Sequence, residues 1–238
     1  VAVNALGQPS AVEAALGDFL GVTAWSIDQL PPQDVIPRPW PPAFAAPSAR
    51  KVSLEATRFD YAGLVDIRAV EIAGPKLAIV NLFAYPSDPA AMPIFAMEFV
   101  RFGERGIVAV IDLKWVGAGA VAPPPWAETL LRRTMACFPE LVPAGDPPGW
   151  FQQCRSGYDL FLRPSHREAF ADVLEIYCRV WSGFARRLDA LPEATQGDQA
   201  AVRAYKEHHA LHSPGLPFLN RTFGEDWTRE FLHNHYFA

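Results

Sequence analysis

Two carboxylates in the middle of the chain, Glu98 and Asp112, stand in sequence that otherwise has the composition of buried strands. In the segment PIFAMEFVRF, apolar residues alternate onto both faces of a strand: the face of Glu98 carries Ile94, Ala96, Val100 and Phe102, and the other carries Phe95, Met97 and Phe99. A carboxylate buried there is costly unless a cation pairs with it or it stays protonated. Glu98 is therefore either the partner of an arginine at the edge of the core or an acid that takes part in chemistry. Asp112, near a strand end, is expected to be solvated or bonded within a turn.

A second group of candidates is the histidine cluster in the segment KEHHALH. His208 and His212 are four residues apart and so share one face of a helix, with Glu207 and His209 beside them. Such a pair can bind zinc, but the HExxH order is absent and no third ligand lies nearby in sequence. The sequence therefore favours no metal site, and metal analysis would exclude a zinc hydrolase built on this pair.

Other familiar site motifs are missing. The chain has no GxGxxG, P-loop, GxSxG or CxxC pattern. The sequence therefore gives no evidence for a nucleotide-phosphate site, a hydrolase catalytic triad or a zinc ribbon. Cys137, Cys154 and Cys178 are odd in number and widely spaced, as expected of free thiols in a reducing cytoplasm. Any redox chemistry would need electrons from outside the chain. A net charge of −5 argues against a nucleic-acid or anionic-membrane partner. No apolar run is long enough to span a bilayer, and no signal peptide is visible, so neither a membrane span nor secretion is expected.

These residues need a scaffold, and the pattern predicts one domain over residues 1–238. Residues 1–48 form a lead-in: a helix capped by Ser10, then a stretch with seven prolines in which Trp40 and Phe44 are expected to anchor the chain to the body. Residues 51–115 are read as five successive strands joined by short turns, which favours antiparallel neighbours. The turn at residues 103–106 makes the last two strands a hairpin.

Residues 124–238 have helical spacing instead. A long helix is expected after a Ser165 cap, another over DQAAVRAYKEHHALH, ended by Pro214-Gly215, and a last one over EDWTREFLHNHYF. Strands first and helices later predict an α+β domain with helices packed on the sheet.

The ordered segments LAIVNLFAYP, PIFAMEFV and GIVAVIDL resemble the central sheet of the ferredoxin-dependent bilin reductases. The C-terminal sequence YKEHHALH followed by FLNRTFGEDWTREFLHNHYF looks like the ending of those proteins, and YDLFLRP is a third match. The resemblance implies a three-layer α/β/α sandwich with a central antiparallel sheet, helices on both faces, and a linear tetrapyrrole held between the sheet and the C-terminal helices. It also implies a monomer with no cofactor or metal of its own, and electrons supplied by a reduced [2Fe–2S] ferredoxin.

The resemblance assigns roles to individual residues. Glu98 falls on the family's sheet aspartate, which donates a proton to the bilin. Asn81 falls where phycocyanobilin-forming members have a catalytic histidine. An asparagine at this position resembles the members that form dihydrobiliverdin, phycoerythrobilin or phytochromobilin, so the phycocyanobilin reaction is not favoured. Glu71 falls near a glutamate that serves vinyl reduction. Tyr205 and Ser213 match the family's substrate-contacting ending.

The departures from the family pattern shape the expected reaction. Ser213 replaces a second acidic residue and cannot donate a proton near neutral pH, so one two-electron step is favoured over two. His212 is a substitute donor if its ring turns inward. Arg163, Arg203 and Arg221 are candidates for binding the two bilin propionates.

The sequence thus predicts a cytoplasmic ferredoxin-dependent oxidoreductase that reduces biliverdin IXα or a dihydrobiliverdin through a bilin radical. A heme oxygenase and a bilin-accepting photoreceptor are its expected pathway partners. Two alternatives stay open. One is a non-catalytic bilin carrier, suggested by the missing second acid. The other is a reductase of a chlorophyll-derived linear tetrapyrrole, suggested by glutamate at the sheet position.

Overall fold

An antiparallel sheet of eight strands is the centre of the computed structural model, which describes residues 21–103, 106–116, 124–164, 169–191 and 195–238. Its order is β1-β3-β4-β5-β6-β7-β8, and β2 pairs with β3. The strands are β1 (Val35–Pro37), β2 (Ser48–Ala49), β3 (Val52–Tyr61), β4 (Val65–Gly74), β5 (Leu77–Pro86), β6 (Ile94–Phe102), β7 (Ile107–Lys114) and β8 (Leu160–Leu162). Consecutive strands from β3 to β7 are neighbours in the sheet, as their short connections predict.

Helices cover both faces of the sheet. They are α1 (Val22–Asp28), α2 (Pro42–Ala45), α3 (Pro125–Met135), α4 (Gly149–Gln152), α5 (Ala169–Asp189), α6 (Ala200–His212), α7 (Leu216–Phe223) and α8 (Glu225–Glu230), followed by a π-helical turn over Phe231–Tyr236. Residues of α1, α3 and α5 pack on one face. Residues of α2, α4, α6, α7 and the C-terminal segment, which comprises residues 231–237, pack on the other. The predicted three-layer α/β/α sandwich is confirmed. The expected Ser10 and Ser165 caps, and part of the 103–106 turn, lie outside the described residues.

The first core is formed by aromatic side chains between β6 and α5. Phe95 on β6 packs edge-on against Trp181, with ring centroids 4.9 Å apart. The indole Nε1 of Trp181 donates a 2.8 Å hydrogen bond to the carbonyl of Ser26 on α1, which satisfies its polar atom in the interior. These contacts join β6, α5 and α1 on this face of the sheet.

The second core is closed by the C-terminal segment, which Arg68 of β4 holds against the sheet. Arg68 is only 3% exposed, and its Nη1 donates to the carbonyls of His235 and Tyr236 at 2.6 and 2.9 Å. Its Nη2 pairs with Asp66 at 2.7 Å, so the buried charge is compensated. Phe44 packs against this segment as predicted, with its ring 4.5 Å from that of His235.

No helix in the described ranges is long and apolar enough to cross a membrane.

Candidate active site

A cavity of about 530 Å³ lies between the second face of the sheet and α4, α6, α7 and the C-terminal segment. Its wall is mainly aliphatic and aromatic, which is typical of a site for an organic ligand. A few polar side chains interrupt that wall: Asn81, Glu98, Arg163, Tyr205, His209, Ser213, Arg221 and Tyr236. Among the described residues that line it, Glu98 is the only carboxylic acid.

Glu98 projects from the middle of β6 into this cavity. It lies directly opposite Asn81 on β5 and Val110 on β7, so its side chain stands among cavity-facing neighbours. Within the described part of the chain, the Glu98 carboxyl group has no hydrogen-bond or ion-pair partner. Burial therefore acts without compensation and raises the pKa of Glu98 to about 7. No arginine in the described ranges forms the ion pair that was one of the two interpretations of Glu98.

Asn81 faces the same cavity from the adjacent strand. Its amide Oδ1 is buried and has no hydrogen-bond partner. A buried acceptor is normally satisfied, so this orphaned oxygen on a residue of the cavity wall is available to a hydrogen-bond donor. Asn81 and Glu98 thus form a neighbouring pair of unsatisfied polar groups on an otherwise apolar surface.

Four further predicted residues line the cavity: Tyr205, Ser213 and Arg221 on its helical side and Arg163 just after β8. Tyr205 is buried on α6, and Ser213, just after that helix, accepts a 3.3 Å hydrogen bond from the Gly215 amide. Arg163 and Arg221 line the cavity with exposed side chains. The guanidinium of Arg163 lies 5.0 Å from the centre of the Phe161 ring. Two cations therefore stand where the cavity meets solvent.

Two predicted residues lie elsewhere. His212 is exposed, and its Nδ1 is 2.9 Å from the carbonyl oxygen of His208 on its own helix, so its ring does not turn inward. Arg203 is exposed on α6 and does not line the cavity. The rings of His208 and His212 stack at 4.4 Å, and the described residues contain no group of three or more potential ligands that could hold a metal.

His209 is the histidine that lines the cavity, and the sequence interpretation passed over it. It is 6% exposed, and its ring lies 4.3 Å from that of Tyr205. Burial, together with His208 and His212, lowers the pKa of His209 to about 3, so the ring is neutral. A signal was available, because Val202, Tyr205 and His209 follow the spacing of one buried helical stripe.

Asp112 corrects another expectation. It is neither solvated nor bonded within a turn: it is 1% exposed, and its Oδ2 accepts a 2.9 Å hydrogen bond from the amide of Ser156. Burial raises the pKa of Asp112 to about 6, and its Oδ1 has no partner.

Glu71 does not belong to the site. It lies on β4 between Val70 and Ile72, which line the cavity, and its own side chain is on the opposite face, where it accepts a hydrogen bond from the Thr23 amide at 3.3 Å. The expected correspondence with a glutamate serving vinyl reduction therefore fails for a ligand in this cavity.

Comparison with known proteins identifies the family. The model of the family described as ferredoxin-dependent bilin reductase matches residues 42–238, most of the chain. The chain belongs to the ferredoxin-dependent bilin reductases. It is 26% identical over 178 residues to a 15,16-dihydrobiliverdin:ferredoxin oxidoreductase of Prochlorococcus marinus, covering 69% of each chain. It is 24% identical over 221 residues to a phycoerythrobilin:ferredoxin oxidoreductase of Nostoc punctiforme, covering 86% of each chain.

The fold of this bilin reductase family member is also found in a solved structure. Tomato phytochromobilin synthase, crystallised in complex with biliverdin, aligns with a TM-score of 0.72 at 15% sequence identity. The alignment covers 90% of this chain and 79% of the tomato protein. The predicted family and the predicted similarity to dihydrobiliverdin-, phycoerythrobilin- and phytochromobilin-forming members are confirmed.

Proposed function

We propose that this protein reduces biliverdin IXα or a dihydrobiliverdin with single electrons from a reduced [2Fe–2S] ferredoxin. The observation that carries the proposal is the unpaired Glu98 carboxyl group in an apolar cavity between the sheet and the C-terminal helices. A cavity of about 530 Å³ is within the roughly 300–1,000 Å³ range of organic ligand sites. The family's named relatives act on bilins, which are flat, conjugated and largely apolar, and the wall of this cavity suits such a ligand.

Glu98 is the proposed proton donor. Because burial raises its pKa to about 7, a large fraction of the carboxyl groups carry a proton near neutral pH. One electron added to the tetrapyrrole raises the basicity of the bilin, and Glu98 then transfers its proton to the resulting radical anion. The product of this step is a neutral bilin radical and a Glu98 carboxylate. A second electron and a second proton complete the reduction of one double bond.

The polar groups around Glu98 suit the rest of the substrate. Asn81 can hydrogen-bond the pyrrole or lactam groups beside the acid, and Tyr205 and Ser213 stand across the cavity from the sheet. Arg163 and Arg221, which line the cavity, would pair with the two propionates, since guanidinium groups bind carboxylates in a fixed, bidentate geometry. We favour a single two-electron step because the loop position of Ser213 has no acidic side chain. A heme oxygenase would supply the substrate, and a bilin-accepting photoreceptor would take the product.

The test is an absorption experiment on the purified protein with biliverdin IXα, before and after anaerobic addition of reduced ferredoxin. Binding shifts the biliverdin spectrum, and turnover gives a product that absorbs at shorter wavelength because a conjugated double bond is lost. Chromatography of the product identifies the bond. Binding without turnover would favour a carrier or a reductase of a chlorophyll-derived tetrapyrrole, and absence of binding would overturn the proposal.

A further inference from the structure

One side of the cavity is formed by a short segment outside the sheet. This wall segment, residues 148–158, contains α4 and supplies Pro148, Trp150 and Phe151 to the cavity lining. All its residues are described, and none belongs to a strand. Its backbone turn is closed internally, for example by the Arg155 amide, which donates to the Phe151 carbonyl at 3.0 Å. A helix of one turn is not stable by itself, so contacts with the rest of the protein must fix where the wall segment lies.

We infer, resting on the proposed function, that Asp112 on β7 and His208 on α6 are positioning residues for the bilin. Their side chains hydrogen-bond the backbone of the wall segment from two directions and so fix the distance between Trp150 and the sheet. Neither residue lines the cavity, so both act on the bilin through the wall segment.

Three consecutive residues of β7 hold the C-terminal half of the wall segment. The Oδ2 of Asp112 accepts a 2.9 Å hydrogen bond from the Ser156 amide. The Leu113 carbonyl accepts one from the Tyr158 hydroxyl at 2.9 Å, and the Lys114 Nζ donates one to the backbone of the segment at 2.8 Å. Burial raises the pKa of Asp112 to about 6, so the carboxyl group is largely ionised at neutral pH. A hydrogen bond to a carboxylate is stronger than one between neutral groups, and truncating Asp112 would leave the Ser156 amide without this acceptor.

His208 holds the N-terminal half of the same segment from α6. Its Nε2 lies 2.8 Å from the Trp150 carbonyl oxygen, and a carbonyl oxygen can only accept, so Nε2 carries the hydrogen and donates it. The bond ends at a residue that lines the cavity, and the Trp150 ring also packs edge-on against the ring of His209, with centroids 6.0 Å apart. This contact gives a role to His208, which the sequence singled out only for its zinc-type spacing.

The position of the wall segment matters for a flat ligand. An apolar wall binds a conjugated tetrapyrrole by close contact, and a gap of about 0.5–1 Å forfeits about a quarter to a half of the attraction between facing atoms. Glu98 stands on β6, whose backbone is paired with a strand on each side, and its position does not depend on the wall segment. Loss of either hydrogen bond should therefore weaken bilin binding more than it slows proton transfer from Glu98.

The first test needs no bilin, because the wall segment contains a buried cysteine. Cys154 is 5% exposed, and its thiol donates to the carbonyls of Trp150 and Phe151 at 3.8 and 3.4 Å. Cys178 lies on α5, against the other face of the sheet, and reports opening of the whole domain. The rates at which a maleimide labels the two thiols, measured by mass spectrometry of peptides, therefore separate local opening of the wall segment from global unfolding.

The labelling is done in a Cys137→Ser background, which removes the exposed thiol. Asp112→Ala and His208→Ala should each raise the labelling rate of Cys154 about tenfold and leave that of Cys178 unchanged. Asp112→Asn keeps an oxygen acceptor, and His208→Gln keeps an amide donor in place of Nε2, so both should label like wild type.

The second test is biliverdin IXα binding and turnover, followed by absorption with reduced ferredoxin as the electron donor. Asp112→Ala and His208→Ala should each weaken binding about tenfold and change the rate at saturating biliverdin by less than about threefold. Asp112→Asn and His208→Gln should restore the wild-type affinity. His212→Ala is the matched control, since the His212 ring hydrogen-bonds its own helix.

Wild-type labelling of Cys154, or wild-type biliverdin affinity, in a folded alanine variant would overturn the inference. An equal rise in the labelling of Cys154 and Cys178 would also overturn it, because it would show a loss of global stability. A loss of affinity in Asp112→Asn and His208→Gln as large as in the alanine variants would do the same. If circular dichroism shows that Asp112→Ala does not fold, His208→Ala decides alone. A wild-type protein that neither binds nor reduces biliverdin would overturn the proposed function, whereas the labelling rates would still decide whether the two residues hold the wall segment.

Discussion

Replacing Glu98 by glutamine should stabilise the empty protein at alkaline pH and stop catalysis. Both effects have the same physical cause. The half-buried Glu98 carboxyl group lies in an apolar cavity and has no compensating partner among the described residues, so its ionised form is disfavoured in the folded state. The unfolded chain exposes the same group to water. Folding and protonation of Glu98 are therefore linked.

The sign and size of the effect follow from the pKa values. Burial raises the pKa of Glu98 from 4.5 to about 7, so the folded state holds this proton more tightly than the unfolded state does. The carboxyl costs no stability below pH 4.5, its cost grows as the pH rises, and the full cost is present above about pH 7. A difference of this size corresponds to about 3 kcal/mol at about 1.4 kcal/mol per pKa unit. This is a ceiling, because the cavity can admit water to the carboxyl group.

The assay is the free energy of unfolding by urea, measured for wild type and Glu98→Gln at about pH 5 and about pH 8. We expect the variant to gain up to about 3 kcal/mol on wild type at the higher pH and less than about 1 kcal/mol at the lower. The glutamine amide is also polar and its burial costs the same at both pH values, so the change with pH is the informative quantity. Glu55→Gln makes the same chemical change at an exposed position of β3 and should show no such change.

The catalytic part of the prediction uses the same variant. Glu98→Gln should bind biliverdin but reduce it about 10²–10⁴-fold more slowly, the usual contribution of a general acid. An unchanged turnover rate, or a stability difference that does not depend on pH, would refute the argument that Glu98 is a buried, unpaired acid.

Three further predictions concern ligand binding. Arg163→Gln and Arg221→Gln should each weaken biliverdin binding about tenfold at low ionic strength, whereas Arg203→Gln should leave binding unchanged, as titrations followed by absorption will show. Asn81→Ala should weaken binding about 2- to 10-fold without destabilising the empty protein, since its Oδ1 makes no hydrogen bond there; denaturation of the same variant is the control. Arg68→Met should lower the free energy of unfolding by about 2–4 kcal/mol, because it leaves the buried carbonyls of His235 and Tyr236 without their donor while Asp66 keeps only Arg58, and should weaken bilin binding by loosening the segment that closes the cavity. A stable Arg68→Met variant would contradict this account of the closure.

The fold was predictable because its signals are local. Alternation in PIFAMEFVRF separated the two faces of β6 correctly, since Phe95, Met97 and Phe99 all pack in the core beside α5. Short turns then required antiparallel neighbours, and the later helices had only the two faces of one sheet to cover. The number of helices on each face depends on long-range packing, and the sequence pattern alone could not provide it.

The site was predictable only in part, for the same reason. Glu98 was found because a charged residue stands out locally in a strand whose two faces are both apolar. Asp112 was misread because its burial comes from a loop more than forty residues away, whose Ser156 amide binds it. The helix spacing directed attention to His208 and His212, although the buried stripe of α6 selects His209. Which face of a helix packs inward is decided by the partner surface, and a single helix does not specify that surface.

The geometry of the sheet explains why the acid and its neighbours can work together. Asn81, Glu98 and Asp112 stand on three adjacent strands and on one face, so their relative positions are fixed by backbone hydrogen bonds rather than by side-chain packing. The residue on the helical side that differs from the family pattern, Ser213, instead lies just after the C-terminal end of α6. A sheet that holds Glu98 in a fixed position, facing a helical wall whose polar residues can be exchanged, would let one scaffold change where the second proton is delivered, and therefore which double bond is reduced. Exchanging Ser213 for aspartate tests this directly: the product should change while the radical formed by the first electron and Glu98 stays the same.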